Sequence, residues 1–366
     1  MPTEPAAALR LHRAARIDDA IHDFREKWAR RRGHQATVIP YTGYGSTTRV
    51  RVLGRVLLTK QPKPGSRAAR QQRRREERVR GWRSFTSVPV GDVEVTIQVE
   101  GSVRTVLADR GGVVDASVDV ELEPGWHTIT MSAEGSEPVE APVFIVAPDT
   151  TFGVVCDIDD TVMVTALPRP FLAFWNTFVL DVHARTPTPG MAVFLERMTT
   201  DNPGTPVIYL STGAWNVAPT LTRFLSRNLY PSGPILLTDW GPTHDRFFRN
   251  GREHKEKNLR RLAEEFPDIH WLLIGDDGQH DEEIYREFAI EHPDSVAAIA
   301  IRQLSASEAV LAGGRSKVDP NAAVELAPRV YAPDGAGLFE KLKKAAKDRG
   351  WMLDHTDPRD PSDPLA

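Results

Sequence analysis

The chain has 366 residues, and its 46 Lys and Arg residues against 50 Asp and Glu residues give a formal net charge of −4 at pH 7. At roughly 150 residues per domain, this length predicts about two domains. The hydrophobic share of 40% and the charged share of 26% exclude wholesale disorder, collagen and a coiled coil. The single cysteine, Cys156, excludes an intramolecular disulfide and a cysteine-based zinc site. The net charge by itself predicts no affinity for nucleic acid or for membranes.

Two features of the sequence bear on localisation. The most apolar stretch, residues 171–180, has about half of the ~20 residues that a membrane-spanning helix needs. The N-terminal segment lacks the apolar core of a signal peptide. We therefore expect a soluble, cytoplasmic protein.

Residues 1–33 are predicted to form an N-terminal amphipathic helix. Within 9–32, a single stripe at helical spacing is formed by Ile17, Ile21, Phe24 and Trp28. Gly33 follows as a C-terminal cap, a position that favours glycine.

Residues 34–149 are predicted to form a small, Ig-like β-sandwich. The apolar period changes here to two, and strand patterns occur at 48–58, 93–99, 114–122, 126–131 and 143–146. Several short strands separated by turns that contain Gly and Pro are typical of such a domain.

A basic insert at residues 63–83 interrupts these strands. It holds nine basic and two acidic residues, a net charge of +7 that leaves −11 on the rest of the chain. One interpretation is attraction to an anionic membrane, at ~1 kcal/mol for each Lys or Arg near the surface. The alternatives are a solvated loop and a nucleic-acid site. We expect no nucleic-acid partner, because the stretch RQQRRREERVR within the insert lacks interleaved aromatic residues.

Residues 150–353 are predicted to form an α/β domain on a doubly wound parallel sheet. Strands at 152–156, 207–210, 270–274, 296–301 and 329–331 alternate with helices at 191–198, 219–229, 255–266 and 338–347. Ligands bind such sheets at the carboxyl ends of the strands. The tail at 354–366, rich in Pro and Asp, is expected to be disordered.

Oxygen-bearing side chains follow the first strand of this domain at once. The stretch GVVCDIDDTV contains Asp157, Asp159, Asp160 and Thr161. Clustered carboxylates repel one another unless a cation or hydrogen-bond donors compensate, and hard oxygen ligands suit Mg²⁺. The alternative is an acidic turn in which Asp160 or Thr161 caps a helix.

Two further motifs could serve a phosphate group. The stretch VIYLSTGAW places Ser211 and Thr212 at a strand end, where hydroxyls and backbone N–H groups can hold a phosphate; the alternative is an ordinary helix cap. The stretch HKEKNL places Lys255 at the opening of a predicted helix, where its ammonium could point at the same strand ends. The alternative for Lys255 is a solvated helix face.

A second group of acids follows the strand at 270–274. The stretch WLLIGDDGQHDEEIY contains Asp276, Asp277 and Asp281. The strand before them is continuously apolar, as a central parallel strand should be, so we expect these acids at the same edge of the sheet as Asp157. The alternative is a simple turn.

The order strand-DxDxT, strand-Ser, Lys, strand-GDD resembles the four-motif signature of the haloacid dehalogenase superfamily of phosphohydrolases. That resemblance implies a Rossmannoid fold with Asp157 as the nucleophile that forms an aspartyl-phosphate. It implies Asp159 as the general acid and then the base. It also implies Mg²⁺, held by Asp157, the backbone carbonyl of Asp159 and Asp276.

The resemblance assigns the remaining residues to binding and support. Ser211, Thr212 and Lys255 would bind the phosphoryl oxygens. Asp281 would orient Lys255 or a metal-bound water. Thr161 and Asp277 are supporting residues, and the role of Asp277 stays open.

Four stretches narrow the resemblance: YLSTGAW, GREHKEKNLRRL, FPDIHWLLIGDDGQHDEEIY and AAIAIR. They are similar to the catalytic domain of the actin-patch-associated phosphatidate phosphatases and their bacterial relatives, with lipins as distant kin. GYGS at 43–46 and GRVLL at 54–58 resemble the N-terminal region of the bacterial members. The family implies a Mg²⁺-dependent phosphatase that releases diacylglycerol from phosphatidate. The alternatives are a phosphomonoesterase on another ester and a catalytically inactive module that binds phosphatidate.

The insert between the first two motifs, 162–206, is short, so we expect a minimal cap and an open site. Within it, one helical face carries Phe171, Phe174, Trp175 and Phe178. The favoured interpretation is that this face packs into the core, and the alternative is that part of it enters lipid. With the basic insert, these features predict a peripheral position at the inner face of the membrane.

Overall fold

The computed structural model describes residues 25–60, 88–164, 186–238, 244–278, 280–312, 314–316 and 327–348. These residues divide into two compact units. The first comprises the described residues up to Gly43 together with Thr48–Glu121 and Trp126–Val143, and the second Tyr44–Thr47, Leu122–Gly125 and those from Phe144 onward. The division thus falls a few residues before position 149. The predicted boundaries at 33, 149 and 353 stay predictions.

The first unit is built from β-strands. They are β1 (His34–Ser46), β2 (Arg49–Lys60), β3 (Val88–Pro89), β4 (Glu94–Val99), β5 (Ser102–Leu107), β6 (Val113–Asp119), β7 (Gly125–Ala133) and β8 (Val139–Val146). Hydrogen bonds join them in the order β3-β2-β1-β8-β7-β4-β5, with β6 paired to β2. The pairings of β2 with β3 and β6, and of β4 with β5 and β7, are antiparallel.

The period of two identified several of these strands correctly. In β4, the alternate residues Val95, Ile97 and Val99 are buried while Glu94 and Gln98 are exposed. Three strands of this unit were not predicted. β3 has only two residues, Val88 and Pro89. β1 contains Pro and Gly among its apolar residues, and β5 is almost wholly exposed. The Ig-like sandwich stays a prediction.

The second unit alternates strands with helices. Its strands are β9 (Phe152–Asp157), β10 (Met163–Val164), β11 (Thr186–Pro187), β12 (Val207–Ala214), β13 (Ile235–Thr238), β14 (His270–Asp276), β15 (Val296–Arg302) and β16 (Arg329–Ala332). Its helices are α1 (Met191–Thr200), α2 (Ala218–Arg227), α3 (His244–Glu265), α4 (Asp281–Glu291), α5 (Ala306–Leu311) and α6 (Gly335–Asp348). Single 3₁₀ turns lie at Trp215–Val217 and Pro293–Ser295.

The described residues contain a parallel sheet in the order β13-β12-β9-β14-β15-β16. The chain enters the sheet at its centre with β9, moves to one edge and then fills the other side. All seven residues of β15 are buried, as are all but the first of β14, which explains their continuous apolar runs. The α/β class with a parallel sheet is confirmed. The doubly wound, haloacid dehalogenase-like assignment and the minimal cap stay predictions.

Two local predictions were wrong. The helix that carries Lys255 begins at His244 and not at 255. One glycine costs a helix only about 1 kcal/mol, and this helix continues through Gly251. Asp160 and Thr161 do not cap a helix, because the chain continues into β10, which pairs antiparallel with β11.

Several predictions lie outside the described residues. These are the first part of the N-terminal helix, the basic insert at 63–83, the aromatic face at 171–178 and the tail at 354–366. Residues 25–31 are helical, and Gly33 has a φ of 77°, in the left-handed region that a C-terminal cap requires. Among the described helices, none has the length and apolar character needed to cross a bilayer.

Candidate active site

The candidate site lies where the carboxyl ends of β9, β12 and β14 meet. The register pairs Asp157 with Leu210 of β12, so Ser211 is the next residue along that strand. On the other side, Cys156 pairs with Ile274, and Asp276 lies two residues further along β14. Neighbouring parallel strands therefore deliver their polar residues to one edge of the sheet.

Lys255 connects two of the predicted carboxylates. Its Nζ atom donates a hydrogen bond of 2.6 Å to Asp157 Oδ1 and another to Asp281 Oδ1. All three side chains are buried, with at most 7% of any of them exposed. Lys255 thus lies on α3 with its ammonium at the strand ends and not on a solvated helix face. Asp281, at the start of α4, holds the ammonium there.

Charge is concentrated at these groups. Burial lowers the pKa of Lys255, but Asp157 and Asp281 outweigh it and raise that pKa above its ordinary value. The ammonium is therefore charged throughout the neutral range. Burial raises the pKa of Asp157; Lys255 opposes this rise, and Asp281 adds to it. A cation beside Asp157 would lower its pKa and keep the carboxylate ionised.

The carboxylates of Asp157, Asp276 and Asp281 form a compact cluster. One oxygen from each lies within 4.8 Å of the others. Among the described residues, the second oxygens of Asp157 and Asp281 are buried without a hydrogen-bond partner. Buried carboxylate oxygens without donors are costly unless a cation compensates them. The donor set therefore fits a hard divalent cation such as Mg²⁺.

The predicted metal ligands include Asp159, whereas this carboxylate cluster contains Asp281 in its place. Asp159 is assigned to the ion through its backbone carbonyl, and its side chain is not part of the carboxylate cluster. Instead, Asp159 Oδ2 accepts a hydrogen bond of 2.8 Å from Ser211 Oγ. The residue Asp159 is only partly buried, unlike Asp157, whereas its Oδ1 atom is buried.

Ser211 and Thr212 lie within the last residues of β12, not in a turn beyond it. Ser211 Oγ accepts a hydrogen bond of 3.0 Å from the N–H of Gly213. The hydroxyl of Thr238, at the end of β13, donates to the Thr212 carbonyl at 3.0 Å. These bonds fix the end of β12, while Thr212 itself stays partly exposed.

The two acids of the GDD stretch have different environments. Asp276 Oδ1 accepts a hydrogen bond of 2.6 Å from the N–H of Gly278 and belongs to the carboxylate cluster. Asp277 Oδ1 accepts one of 2.8 Å from the N–H of Leu304, and its Oδ2 pairs with Arg315 at 3.2 Å. Asp277 therefore holds the segment after β15 and is not a member of the carboxylate cluster.

Thr161 is fully buried, and its hydroxyl has no hydrogen-bond partner among the described residues. Asp160, next to it, has a φ of 61°, in the left-handed region that few residues other than glycine adopt. The loop after β9 is thus held in a costly conformation. Arg302 donates a hydrogen bond to the backbone carbonyl of Asp160. Arg302 was not identified from the sequence, where the available signal was a charged residue at the end of an apolar strand.

Residues 152–303 match the family model described as "Phosphatidate phosphatase APP1, catalytic domain". The range begins with β9 and ends just beyond β15, so it contains every candidate residue of the site. This region of the chain is therefore similar to that catalytic domain.

Two relatives share sequence with the chain. The phosphatidate phosphatase APP1 of Saccharomyces cerevisiae is 26% identical over 244 residues, which cover 63% of this chain and 41% of that protein. An uncharacterized protein of Schizosaccharomyces pombe is 27% identical over 153 residues, 41% of this chain and 25% of its own length. The matched region thus spans less than half of either relative.

A comparison with solved structures gives weaker likenesses. A carbohydrate acetylesterase from Xanthomonas citri is 10% identical with a TM-score of 0.29, over 86% of this chain and 75% of that one.

Proposed function

We propose that the α/β unit is a Mg²⁺-dependent phosphatidate phosphatase that hydrolyses the phosphomonoester to diacylglycerol and inorganic phosphate. One observation carries the proposal. Lys255 bonds both Asp157 and Asp281, while Asp157 and Asp281 share a compact carboxylate cluster with Asp276. The match of residues 152–303 to the APP1 catalytic domain supports the substrate class.

In the first step, an oxygen of Asp157 attacks phosphorus and the bond from phosphorus to the glycerol oxygen breaks. The product on the enzyme is an aspartyl-phosphate. Asp159 gives its proton to the leaving oxygen, which becomes the hydroxyl of diacylglycerol. An alkoxide is a poor leaving group, and a positioned acid contributes ~10²–10⁴-fold to such a step.

In the second step, water attacks the aspartyl-phosphate and Asp159 accepts its proton. Inorganic phosphate leaves, and the carboxylate of Asp157 is restored. The hydrogen bond between Asp159 Oδ2 and Ser211, a proposed phosphate-binding residue, supports this role.

The phosphoryl oxygens carry negative charge that the chain must balance. Lys255 provides a buried, charged ammonium 2.6 Å from the attacking carboxylate. Ser211 and Thr212 provide hydroxyls at the end of β12. Fixed donors of this kind stabilise the charge that develops in the transition state.

The carboxylates of Asp157 and Asp276 and the carbonyl of Asp159 would hold Mg²⁺, with Asp281 close enough to contribute. The two buried oxygens without partners, on Asp157 and Asp281, support this fit. When bound, the ion would neutralise charge on the phosphoryl oxygens and on the nucleophile.

The basic insert at 63–83 supports a second part of the proposal, recruitment to an anionic membrane at the inner face. Its net charge of +7 contrasts with the −4 of the whole chain. Co-sedimentation with vesicles at two salt concentrations tests it. Salt-sensitive binding to anionic vesicles is expected, and equal binding to neutral vesicles would contradict it.

A phosphate-release panel tests the enzymatic proposal. It uses phosphatidate vesicles, glycerol 3-phosphate and p-nitrophenyl phosphate, each with Mg²⁺ and with EDTA, and includes Asp157→Asn. We expect Mg²⁺-dependent turnover of phosphatidate and none by Asp157→Asn, although that variant stays folded. The matched control is Asp119→Asn, an exposed aspartate in the first unit, which should keep full activity.

The panel also separates the alternatives. Turnover of the small esters alone would favour a phosphomonoesterase with another substrate. Vesicle binding without turnover of any ester would favour an inactive phosphatidate-binding module. Activity that survives in purified Asp157→Asn would overturn the assigned nucleophile.

A further inference from the structure

Arg302 ends β15 at the same edge of the sheet as the site. It pairs in register with Asp276 of β14. Only 4% of the residue is exposed, and charged side chains are this deeply buried only where they are paired. The last residue of an otherwise apolar strand is therefore a buried cation with specific partners.

The guanidinium of Arg302 makes three separate connections. Nη1 donates to the backbone carbonyl of Asp160 at 2.7 Å, and Nε donates to the carbonyl of Pro333 at 3.3 Å. Nη2 bonds Glu308 Oε1 at 2.7 Å. A planar group with fixed donor directions can hold three partners in one geometry, which a lysine cannot do.

Glu308 is itself held in place on α5. Its Oε2 accepts the N–H of Ser305 at 2.7 Å, and the Ser305 hydroxyl accepts the N–H of Glu308 at 3.3 Å. This reciprocal capping box fixes the first turn of α5. Glu308 therefore presents a carboxylate of defined orientation to Arg302.

The hydrogen bond from Arg302 supports an unfavourable backbone conformation at Asp160. Its φ of 61° is unfavourable for a residue with a side chain. Its N–H bonds the carbonyl of Met163 at 2.9 Å, and its carbonyl bonds Arg302. The peptide groups on both sides of Asp160 are thus held, and Asp159 comes directly before it.

We propose that Arg302, oriented by Glu308, is a positioning residue for Asp159. By fixing the Asp160 peptide, it sets the direction in which the Asp159 carboxyl meets the leaving oxygen, beside Ser211. The inference rests on the proposed role of Asp159 as the general acid. A purely structural Arg302 would affect folding and every substrate alike.

Leaving groups distinguish these two roles. The alkoxide that leaves phosphatidate or glycerol 3-phosphate needs a proton, whereas p-nitrophenolate leaves readily without one. A misdirected acid therefore lowers kcat/KM, which covers the steps up to departure of the leaving group, selectively for the alkyl esters. The second step, in which Asp159 is the base, is common to both ester classes and affects only kcat. A loss of folded enzyme lowers kcat/KM equally for both classes. Asp159→Asn provides the reference for complete loss of the acid.

The test compares kcat and KM of wild type, Arg302→Lys and Glu308→Gln on dioctanoyl phosphatidate micelles, glycerol 3-phosphate and p-nitrophenyl phosphate. Since a positioned acid contributes ~10²–10⁴-fold, we expect its misdirection in Arg302→Lys to lower kcat/KM on the preferred alkyl ester about tenfold. On p-nitrophenyl phosphate we expect less than about a twofold loss of kcat/KM. Glu308→Gln should show the same selectivity with a smaller amplitude.

A matched control comes from the first unit. Arg51 is also a buried arginine, 7% exposed, and it pairs with Asp115 at 2.7 Å. Arg51→Lys should lower thermal stability without changing the ratio of alkyl to aryl turnover. Circular dichroism and thermal unfolding check that each variant is folded. If Arg302→Lys is unfolded, the leaving-group selectivity of Glu308→Gln decides whether the role of Arg302 is positioning or purely structural.

The outcomes separate this inference from the function on which it rests. If Asp159→Asn is selective for leaving group but Arg302→Lys and Glu308→Gln lower both ester classes equally or neither, the inference alone fails. If Asp159→Asn shows no selectivity, or wild type hydrolyses no ester, the proposed function fails and the inference with it. Selective loss in all three variants supports both.

Discussion

The side chain of Thr212 packs against Gly251 of α3. A Cβ atom at Gly251 would lie 3.0 Å from Thr212 Cγ2 and 3.4 Å from its Cβ. Residues four apart lie on one face of a helix, so Gly251 and Lys255 face the same way. The missing side chain at Gly251 therefore sets how closely the helix of Lys255 approaches the end of β12.

Gly251→Ala is expected to lower activity without lowering stability. Alanine favours a helix over glycine by about 1 kcal/mol, but its methyl group pushes α3 from Thr212 by a few tenths of an ångström. Since a misplacement of 1 Å can cost ~10²-fold, we expect a three- to tenfold lower kcat. Kinetics and thermal unfolding check this.

Thr212→Ser provides the rescue for that variant, because it removes Cγ2 and keeps the hydroxyl. The double variant should regain most of the lost kcat. A double variant no better than Gly251→Ala would contradict the close-packing explanation.

Asp276→Ala is expected to raise the Mg²⁺ concentration that gives half-maximal activity. It removes a carboxylate from the proposed metal cluster. Changes beyond the direct ligands already cost ~10–100-fold in metal affinity, so the Mg²⁺ concentration for half-maximal activity should rise at least about tenfold. Activity titrations from EDTA-treated protein measure this, and an unchanged titration would remove Asp276 from the metal site.

Asp277→Ala, one residue further on, should act on stability instead. It leaves the N–H of the buried Leu304 without its acceptor, a loss worth ~1–3 kcal/mol of unfolding free energy. Denaturant unfolding should show the loss while half-maximal Mg²⁺ stays near the wild-type value. A large shift in Mg²⁺ demand without destabilisation would reverse the two roles.

Three buried tyrosines predict a fall in stability at high pH. Burial raises the pKa of Tyr209, Tyr230 and Tyr285 above the ordinary value. Each hydroxyl donates to a backbone carbonyl, of Pro231, Val162 and Ile274 respectively. These bonds are lost on ionisation.

A raised pKa in the folded state means that the folded chain holds the phenolic proton more tightly than the unfolded chain does. This contribution is complete below the unfolded pKa of about 10 and is lost as the pH rises through the folded value. Denaturation midpoints should therefore fall above about pH 10. Tyrosinate absorbance from these residues should appear only with unfolding, and its appearance in folded protein near pH 10 would contradict the prediction.

Cys156 should be inert in the folded protein. It is fully buried, and burial first, then the charges of Asp157 and Asp281, raise the pKa of its thiol. A thiol-specific reagent should react only after denaturation, with one equivalent because the chain has one cysteine. Rapid labelling of native protein would show that the centre of the sheet opens.

The central strands could be predicted because they are buried on both faces. Residues 152–156 and 271–274 are continuously apolar, and acids follow both runs within two residues. This pattern put Asp157 and Asp276 at one edge of a parallel sheet. The start of α3 could not be predicted in this way. Gly251 resembles a helix boundary in the sequence, and only the packing of Thr212 explains why a glycine lies inside the helix.

The different roles of the neighbouring acids could not be predicted from the sequence either. Asp276 and Asp277 are adjacent and chemically identical, yet one joins the carboxylate cluster and the other holds Leu304. Successive residues of an extended chain face opposite sides, but which side holds the site depends on the pairing of strands. Arg302 was missed for a similar reason, because its partners Asp160 and Pro333 are distant in the chain and bonded through their backbone carbonyls.

The strand register also determines where the chain can change length during evolution or engineering. Asp157 pairs with Leu210, and a slip of one residue would turn the polar residues of β12 to the opposite face. Insertions within β9, β12 or β14 should therefore abolish activity even if a sheet forms. The segment 201–204, between α1 and β12, is mostly exposed. It precedes the first residue of β12, at the end of the strand opposite the candidate site. Added residues there, such as an affinity tag, should leave the spacing of the site intact.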